Sequence, residues 1–364
     1  PLLLLLSLLL LQCHPAPCTP APPPTPSLQT WQLSTPLPLL GIQPTLSTQD
    51  YACRERLYQV LNFYLKTARQ RGCLAESSIV VFPEYIGSWL VLEGLPAWVL
   101  RASTLREAMI RLAMSSPLAF LRAWWHAYQT QTSDPSTAAV FHLRAISVAR
   151  SYHSLFSQLA RHYKVYIVAG SVVLPGPFIE KDSLYITPKA PLYNLCVVYQ
   201  PDGRPFPHFV QKVFLTQEEQ AFTQAGNSQA LPTFSLPQGK LGVLICADSW
   251  YPESYEALGK VDWLVVPSYL MGDSAWCKPW KGYSGHTAPA DVVEKNNLTE
   301  GQAWLQYALA GRLPKQSNRA VGLNVFLWAK IFEVGADGWG TVVSAERYDT
   351  TKANILCLMP EKGK

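Results

Sequence analysis

The sequence is poor in charged residues for its length. Asp, Glu, Lys and Arg make up 15% of the 364 residues, and 30 basic against 25 acidic residues leave a net charge of +5. These charges are dispersed, and neither a basic stripe nor an aromatic RNA-binding motif occurs, which argues against nucleic-acid recognition. We expect no nucleic acid among the partners of this chain.

Metal-binding patterns are also absent from the sequence. No CxxC pair occurs among the eight cysteines, and the seven histidines are scattered without the spacing of a zinc site. We therefore predict no metal site.

No apolar run has the roughly 20 residues that a membrane-spanning helix needs. Residues 2–11 are leucine apart from Ser7, a length and composition typical of the apolar part of a signal peptide. The following residues are rich in proline, as in an extended linker. We expect 1–35 to be a signal-peptide remnant, with the sequence beginning inside the signal, followed by a linker, and the protein to be secreted or periplasmic. A lipid anchor at Cys13 is disfavoured because Gln12 stands where a lipoprotein signal has a small residue.

Export would favour disulfide bonds, because the compartments outside the cytosol are oxidising. Cys53 and Cys73 flank a helix-like segment, twenty residues apart. The ends of a continuous helix of that length would lie about 30 Å apart, so a bridge requires the chain to bend back. With that condition, the pairing expected is Cys53 with Cys73.

Three apolar segments each carry one side chain suited to chemistry. One run ends in Cys246, another ends in a proline followed by Glu84, and Lys212 stands alone among apolar neighbours. Each has an ordinary interpretation: a buried cysteine, a solvated glutamate, and a lysine whose stem covers an apolar face. Pro252 can open a helix just after the cysteine, and backbone N–H groups directed at Cys246 would favour the thiolate.

In the order Glu84, Lys212, Cys246, these segments resemble the carbon-nitrogen hydrolase (nitrilase) superfamily. The resemblance extends over about residues 38–345. The matching residues are Phe82, Pro83 and Glu84 around the acid, Lys212 and Leu215 around the base, and Gly242, Ile245, Cys246, Asp248, Pro252 and Glu253 around the thiol.

The resemblance implies a cysteine hydrolase that uses neither metal nor other cofactor. Cys246 would attack an amide carbonyl or a nitrile carbon and form a covalent intermediate, and Glu84 would be the general base, with a pKa raised by desolvation. Lys212 and the backbone N–H of Ala247 would stabilise the negative charge on the tetrahedral intermediate.

Family members commonly carry a second glutamate after the lysine, which positions the lysine and the substrate. Glu218 and Glu219 are both available, and the spacing of seven from Lys212 favours Glu219. The proline often found between the two is absent here, which leaves the loop geometry open.

The hydrophobic pattern alternates strands and helices. Strands are predicted at 39–43, 78–82, 165–170, 195–199, 241–245, 263–267, 322–328 and 339–343, and helices at 49–71, 144–162 and 253–258. Together with the resemblance, this predicts an α/β fold, the four-layer α-β-β-α sandwich of the superfamily, for a domain at 36–364 that pairs as a homodimer.

Two segments look like additions to this domain. The first, near 85–130, is apolar and directly follows Glu84, so it is interpreted as a lid, a hairpin in peripheral contact with a membrane, or an extra helical pair packed on the core. The second, near 276–313, is polar and is expected to line the substrate entrance.

The predicted function is hydrolysis of non-peptide C–N bonds in a small-molecule amide. The segment 248–253 resembles that of amidase-type members, and the Trp-Glu pair common after the cysteine of true nitrilases is missing. The alternatives are a nitrilase acting on a nitrile, an N-acyltransferase of the same superfamily, a non-catalytic binding protein on the same scaffold, and, as a weaker hypothesis, a papain-like Cys-His enzyme.

Overall fold

The computed structural model describes residues 24–361 apart from 131, 230, 294–296, 317–318 and 346, and these form a mixed α/β fold. The strands are β1 (Leu28–Leu33), β2 (Leu39–Ile42), β3 (Thr45–Ser47), β4 (Ile79–Val81), β5 (Tyr166–Val168), β6 (Val172–Pro175), β7 (Pro177–Glu180), β8 (Ser183–Ile186), β9 (Leu192–Cys196), β10 (Val198–Tyr199), β11 (Val210–Gln211), β12 (Thr233–Leu236), β13 (Gly239–Val243), β14 (Trp263–Ser268), β15 (Val321–Phe326), β16 (Trp328–Ile331), β17 (Val334–Ala336), β18 (Gly340–Val343), β19 (Tyr348–Thr351) and β20 (Ile355–Pro360). The α-helices are α1 (Arg54–Gln70), α2 (Ala97–Leu100), α3 (Leu105–Ser115), α4 (Pro117–Gln129), α5 (Pro135–Tyr163), α6 (Gln217–Gln220), α7 (Pro252–Leu258), α8 (Glu300–Tyr307) and α9 (Leu309–Gln316). Within these residues, 3-10 turns lie at Thr48–Tyr51, Ser88–Leu92, Cys246–Trp250 and Ala275–Cys277.

Two six-stranded sheets lie within the described part of the chain, and the first has the order β1-β20-β2-β4-β5-β10. β2, β4 and β5 run parallel, and Leu40, Val80 and Ile167 stand side by side across them. These three residues share a buried apolar cluster with α1 and α5. One face of the first sheet is therefore covered by helices.

The second six-stranded sheet has the order β12-β13-β14-β15-β18-β19. It packs directly on the first sheet at Gly41 of β2, where an added Cβ would lie 2.6 Å from Val325 Cγ1 and 3.3 Å from the Leu323 methyl groups. Only glycine allows the two sheets to approach this closely. Gly322, the neighbour of Leu323, instead faces Leu313 of α9, so the other face of this sheet carries helices.

Predicted elements agree with the structure where the apolar pattern is long. The predicted helix at 49–71 corresponds to the 3-10 turn Thr48–Tyr51 and α1, which buries Leu57, Val60 and Leu61 as its spacing predicts. The helix predicted at 144–162 is the C-terminal part of the longer α5.

The start of the folded domain was predicted wrongly. β1 lies within the segment expected to be leader and linker, and it pairs in parallel with β20 at the edge of the first sheet. Trp31 and Leu33 are two residues apart on β1, so both face the same side of the sheet, and both are buried. The flanking prolines obscure this alternation of buried and exposed residues in the sequence. The signal-like run 2–11, Cys13 and the rest of 1–23 lie outside the described residues.

The disulfide prediction was also wrong. Cys73 pairs with Cys357 of β20, with the two Cα atoms 5.7 Å apart. α1 is continuous from Arg54 to Gln70, so it holds Cys53 and Cys73 at opposite ends and cannot bend back as their pairing would require.

The apolar insertion forms helices. It contains the 3-10 turn Ser88–Leu92 and α2 to α4, and α4 packs along α5. Within the described residues, none of the helices has the length and apolarity needed to span a membrane.

Candidate active site

The nucleophile candidate lies on a tight turn beyond β13. Cys246 begins the 3-10 turn Cys246–Trp250 with a φ of +49°, a left-handed conformation that is costly for a residue with a Cβ. The hydroxyl of Ser249 donates a hydrogen bond to the Cys246 carbonyl at 2.7 Å, and Tyr255 donates to the Ser249 carbonyl at 2.7 Å. These bonds fix a strained backbone and thereby the direction of the thiol.

Asp248 connects this turn to the lysine segment. Its buried carboxylate accepts hydrogen bonds from the backbone N–H of Val213 at 3.0 Å and Phe214 at 2.7 Å, and from that of Ile245 at 3.2 Å. Burial raises the pKa of Asp248 to about 7, although these N–H groups and Lys212 oppose the rise. Asp248 therefore sets the position of Lys212 relative to Cys246.

Lys212 lies between two carboxylates. Its ammonium is 2.8 Å from Glu84 Oε1 and 2.7 Å from Glu219 Oε2, and the side chain is 1% exposed. Burial alone would lower the pKa of Lys212, but the charges of Glu219 and Glu84 outweigh it and hold the pKa well above its ordinary value. The lysine therefore stays cationic.

Two neutral side chains complete this cluster. The amide nitrogen of Asn194 donates at 2.9 Å to Glu84 Oε1 and at 2.9 Å to Glu219 Oε1, and the Tyr85 hydroxyl donates to Glu219 Oε1. Burial would raise the pKa of Glu219, but Lys212 and Tyr85 outweigh it, so the pKa is lowered. The structure thus places Glu219 against the lysine, whereas Glu218 is exposed.

Glu84 has the opposite tendency. Burial raises its pKa and neighbouring Glu219 adds to the rise, against the lowering effect of Lys212. This direction agrees with the sequence prediction.

The turn that carries Glu84 is packed against Gly170, where an added Cβ would lie 2.1 Å from the Pro83 carbonyl oxygen. Only glycine fits at this contact.

The thiol itself is buried beside Glu84. Cys246 is 6% exposed, and its sulfur lies 3.7 Å from the Tyr269 carbonyl oxygen. Burial, and then the negative charge of Glu84, hold the pKa of Cys246 well above the ordinary range, although Lys212 opposes this. The predicted thiolate-favouring environment was wrong, because burial next to a carboxylate outweighs the N–H groups of a short turn.

The structure therefore brings Glu84, Lys212, Cys246 and Glu219 into one buried cluster. Ala247 is the second residue of the 3-10 turn and is half-buried, so its backbone adjoins the thiol-bearing residue. Its role as a hydrogen-bond donor to the substrate stays a prediction.

Aromatic rings and the polar insertion surround this cluster. The rings of Tyr85 and Tyr269 meet edge to face at 5.4 Å, and those of Phe214 and Tyr251 stack at 3.8 Å. An added Cβ at Gly285, in the insertion near 276–313, would lie 2.2 Å from the Leu215 carbonyl oxygen. The insertion is thus packed on the segment between Lys212 and Glu219.

Sequence reasoning missed Asn194, although a signal for it existed. β9 and β11 are antiparallel, with Cys196 opposite Val210, and Lys212 donates its backbone N–H to the Asn194 carbonyl at 2.8 Å. A hairpin centred on Gly203 in the turn 201–203 places Asn194 opposite Lys212. Tyr85 and Tyr269 carry no such signal, because their places depend on tertiary packing.

Among the residues that the structure describes, no group of three or more His, Cys, Asp or Glu side chains is arranged to hold a metal ion.

Comparisons with known proteins show which family this chain matches. The sequence model described as carbon-nitrogen hydrolase matches residues 43–281. No curated protein sequence matches the chain.

Several solved structures are similar in fold. An amidase from Nesterenkonia sp. has a TM-score of 0.52 at 14% identity, covering 89% of this chain and 89% of its own. A cysteine-to-alanine mutant of the Nesterenkonia AN1 amidase from the nitrilase superfamily has a TM-score of 0.51 at 14% identity, covering 89% and 90%. A glutamate-to-glutamine mutant of the Nesterenkonia sp. AN1 amidase, with the acetamide moiety of fluoroacetamide added covalently at its active-site cysteine, has a TM-score of 0.50 at 14% identity, covering 92% and 91%.

Proposed function

Because the chain belongs to the carbon-nitrogen hydrolase family, we propose that it is an amidase in which Glu84, Lys212 and Cys246 form the catalytic triad. Membership in this family makes it an enzyme that acts on carbon-nitrogen bonds other than peptide bonds. The observation that supports the triad assignment is the burial of Glu84, Lys212 and Cys246 in one cluster, with the Lys212 ammonium 2.8 Å from the Glu84 carboxylate.

The first half-reaction follows from these contacts. Glu84 takes the thiol proton as the sulfur forms a bond to the amide carbonyl carbon, and Lys212 with the Ala247 N–H stabilises the oxyanion. Glu84 then gives the proton to the leaving nitrogen, the C–N bond breaks, and an amine or ammonia departs from a thioester on Cys246. The raised pKa of Cys246 keeps the free enzyme in the thiol form, so the proton moves only when a substrate accepts the sulfur.

The second half-reaction uses the same base. Glu84 removes a proton from water, the hydroxide oxygen attacks the thioester carbon, and the C–S bond breaks to release a carboxylic acid. Glu84 returns the proton to the departing sulfur, which regenerates the thiol and the carboxylate. Glu219, whose pKa is lowered, stays ionised and keeps Lys212 in place.

Support for an amide rather than a nitrile comes from the segment 248–253, which resembles amidase-type members. An amide gives a thioester directly, whereas a nitrile would give a thioimidate that must release ammonia before the acid forms. Transfer of the acyl group to an amine instead of water would make the chain an N-acyltransferase.

The architecture and assembly are also proposals. Contacts of helices with the first sheet, of the first sheet with the second at Gly41, and of the second with α9 support a four-layer α-β-β-α sandwich. We propose a homodimer that pairs through a helix next to the nucleophile, for which α7 is the candidate. The bond between Cys73 and Cys357 supports export to an oxidising compartment.

Intact-mass spectrometry with a panel of small amides and nitriles tests the proposed activity. Wild-type protein is expected to gain the mass of the acyl group, and Cys246→Ala is expected to lose both adduct and turnover. Cys277→Ala is the matched control, because Cys277 is a free, exposed cysteine and its removal should change neither. An adduct that persists in Cys246→Ala, or turnover that survives Glu84→Gln at the wild-type rate, would remove the assignment.

The products distinguish the three candidate reactions. An amidase releases amine and acid in equal amounts from an amide, a nitrilase releases ammonia and acid from a nitrile, and a transferase gives a new amide when a second amine is added. Quantifying these products by mass spectrometry with each substrate decides among them.

A further inference from the structure

Two consecutive helices of the apolar insertion leave large apolar side chains in solvent. α3 and α4 are joined at Ser116, and six of their residues are each 53% to 72% exposed. We call these six the α3–α4 face. They are Ile110, Met114, Leu118, Leu121, Trp125 and Tyr128.

The α3–α4 face is distinct from the side that packs on the protein. Residues 110 and 114 are four apart, and 118, 121, 125 and 128 are spaced by three or four, so each set lies along one side of its helix. The opposite sides bury Ala108 and Leu112 on α3 and Ala127 on α4. Core packing therefore does not account for the apolar character of the exposed sides.

Positive charge borders these apolar side chains. Residues 97–129 contain four arginines and one acidic residue, a net charge of +3. Arg111 pairs with that acid, Glu107, whereas Arg101, Arg106 and Arg122 are exposed and enter no salt bridge with a described residue. An anionic surface would complement this charge.

The aromatic residues fit a boundary between water and an apolar phase. The Trp124 and Tyr128 rings stack at 5.4 Å, and those of Trp125 and Tyr128 at 5.8 Å. Trp and Tyr concentrate at the headgroup level of bilayers, because each combines an apolar ring with a polar atom.

We propose that the α3–α4 face binds the surface of an anionic lipid bilayer, with both helices lying in the plane of the headgroups. The helices have 11 and 13 residues, which suits an interfacial position. A second copy of the chain is a poorer occupant, because the two copies would bring +3 against +3. The proposal does not depend on the assigned activity.

Vesicle flotation with the full chain tests this surface. The chain is expected to float with vesicles of phosphatidylcholine and phosphatidylserine, and binding should weaken as salt is raised. Substituting Leu118→Ser, Leu121→Ser and Trp125→Ser together is expected to lower the partition coefficient by about 100-fold or more, since each loses apolar burial. Arg106→Gln with Arg122→Gln should lower it by about 30-fold on anionic vesicles and little on phosphatidylcholine alone.

The matched control removes apolar side chains elsewhere. Met271 and Val293 are 60% and 64% exposed on other segments, so Met271→Ser with Val293→Ser should bind vesicles as wild type does. Circular dichroism melting checks that every variant is folded.

Three outcomes overturn the proposal. The first is no flotation of the wild-type chain with anionic vesicles, and the second is undiminished flotation of the triple variant. The third is a lipid-free dimer, seen by sedimentation velocity, that the triple substitution dissociates, since the face would then be a contact between copies.

Discussion

The buried cluster around Lys212 and the α3–α4 face depart in opposite ways from the usual distribution of polar and apolar side chains. The cluster buries Glu84, Lys212 and Glu219 at 1% to 3% exposure, whereas the face leaves six large apolar residues more than half exposed. Charged residues are seldom fully buried unless paired, and contiguous apolar patches on monomers are commonly functional. Each exception lowers the stability of the folded protein, and each therefore indicates a functional site.

The two regions also differ in how they are held. The two glutamates that contact Lys212 also accept hydrogen bonds from Asn194, from Tyr85 and from a backbone N–H group. The face is held from behind, through the packing of α4 on α5 and the burial of Ala108 and Leu112 on α3. Substitutions in the cluster should therefore affect both activity and stability, and those on the face should affect neither.

The largest effect is expected from removing the cation of the cluster. Lys212→Ala leaves two buried carboxylates without their partner, so we expect the free energy of unfolding to fall by about 3–5 kcal/mol and turnover to fall by at least about 100-fold. Urea denaturation and amide hydrolysis measure the two effects. Lys330→Ala is the control, since Lys330 forms an exposed pair with Asp273 and its loss should cost about 1 kcal/mol or less. Equal losses for the two variants would contradict the comparison.

The next effect concerns the bond between Cys73 and Cys357. Replacing both residues with serine should lower the free energy of unfolding by about 2–5 kcal/mol. Turnover at room temperature should remain, because neither residue belongs to the buried cluster around Lys212. Denaturation with and without reductant provides an independent measure, and reductant should destabilise the double variant less than wild type.

Asn194 should act as a positioning residue. Asn194→Ala removes donors from both glutamates, and we expect kcat/KM to fall by about 10- to 100-fold, since hydrogen bonds to charged groups contribute about 1.5–3 kcal/mol. Lost donors raise the pKa of a carboxylate, so the acid limb of the pH–rate profile should move to higher pH. A purely structural role would lower activity without moving that limb. Asn227→Ala, at an exposed position, is the control.

Asp248 should make stability depend on pH. Its pKa is raised to about 7 in the folded state, so between its unfolded value and 7 the folded protein binds the extra proton. Its contribution to stability is fully present below the unfolded pKa and is lost as pH rises through about 7. Unfolding free energies measured from pH 5 to 7 should decline less steeply in Asp248→Asn than in wild type, by up to about 1.4 kcal/mol per pH unit. Parallel curves would contradict the buried titration.

The smallest effect is expected on the α3–α4 face. Trp125→Ser should change the free energy of unfolding by no more than about 0.5 kcal/mol, since Trp125 is 54% exposed. Trp263→Ala, at a residue with 0% exposure, should cost about 3–5 kcal/mol. Thermal melts of both variants compare the two. A large loss for Trp125→Ser would mean that the face packs on the protein.

The sequence predicted the site best where a residue suited to chemistry directly follows a predicted strand. Glu84 and Cys246 each follow a short buried strand, and Lys212 follows β11, so the motifs placed all three at strand ends. The choice between Glu218 and Glu219 required the helical turn of α6, which directs one side chain inward and the other to solvent.

Features that depend on long-range pairing could not be predicted. β1, at residues 28–33, pairs with β20, at residues 355–360, and the partner of Cys73 is 284 residues away. The pKa of Cys246 was misjudged for a related reason, since the effect of burial and of Glu84 arises only after distant segments meet. Local patterns carry no information about such distances.

The position of β20 constrains the order in which the first sheet can be completed. Residues 355–360 insert between β1 and β2, so Leu28–Leu33 has no neighbouring strand until the chain has been synthesised to that point. Contacts of such large sequence separation form slowly, because closing the intervening loop costs entropy before any pairing is gained. A nascent chain that stops after residue 343 would thus expose the edge of β2 as an open template for aggregation.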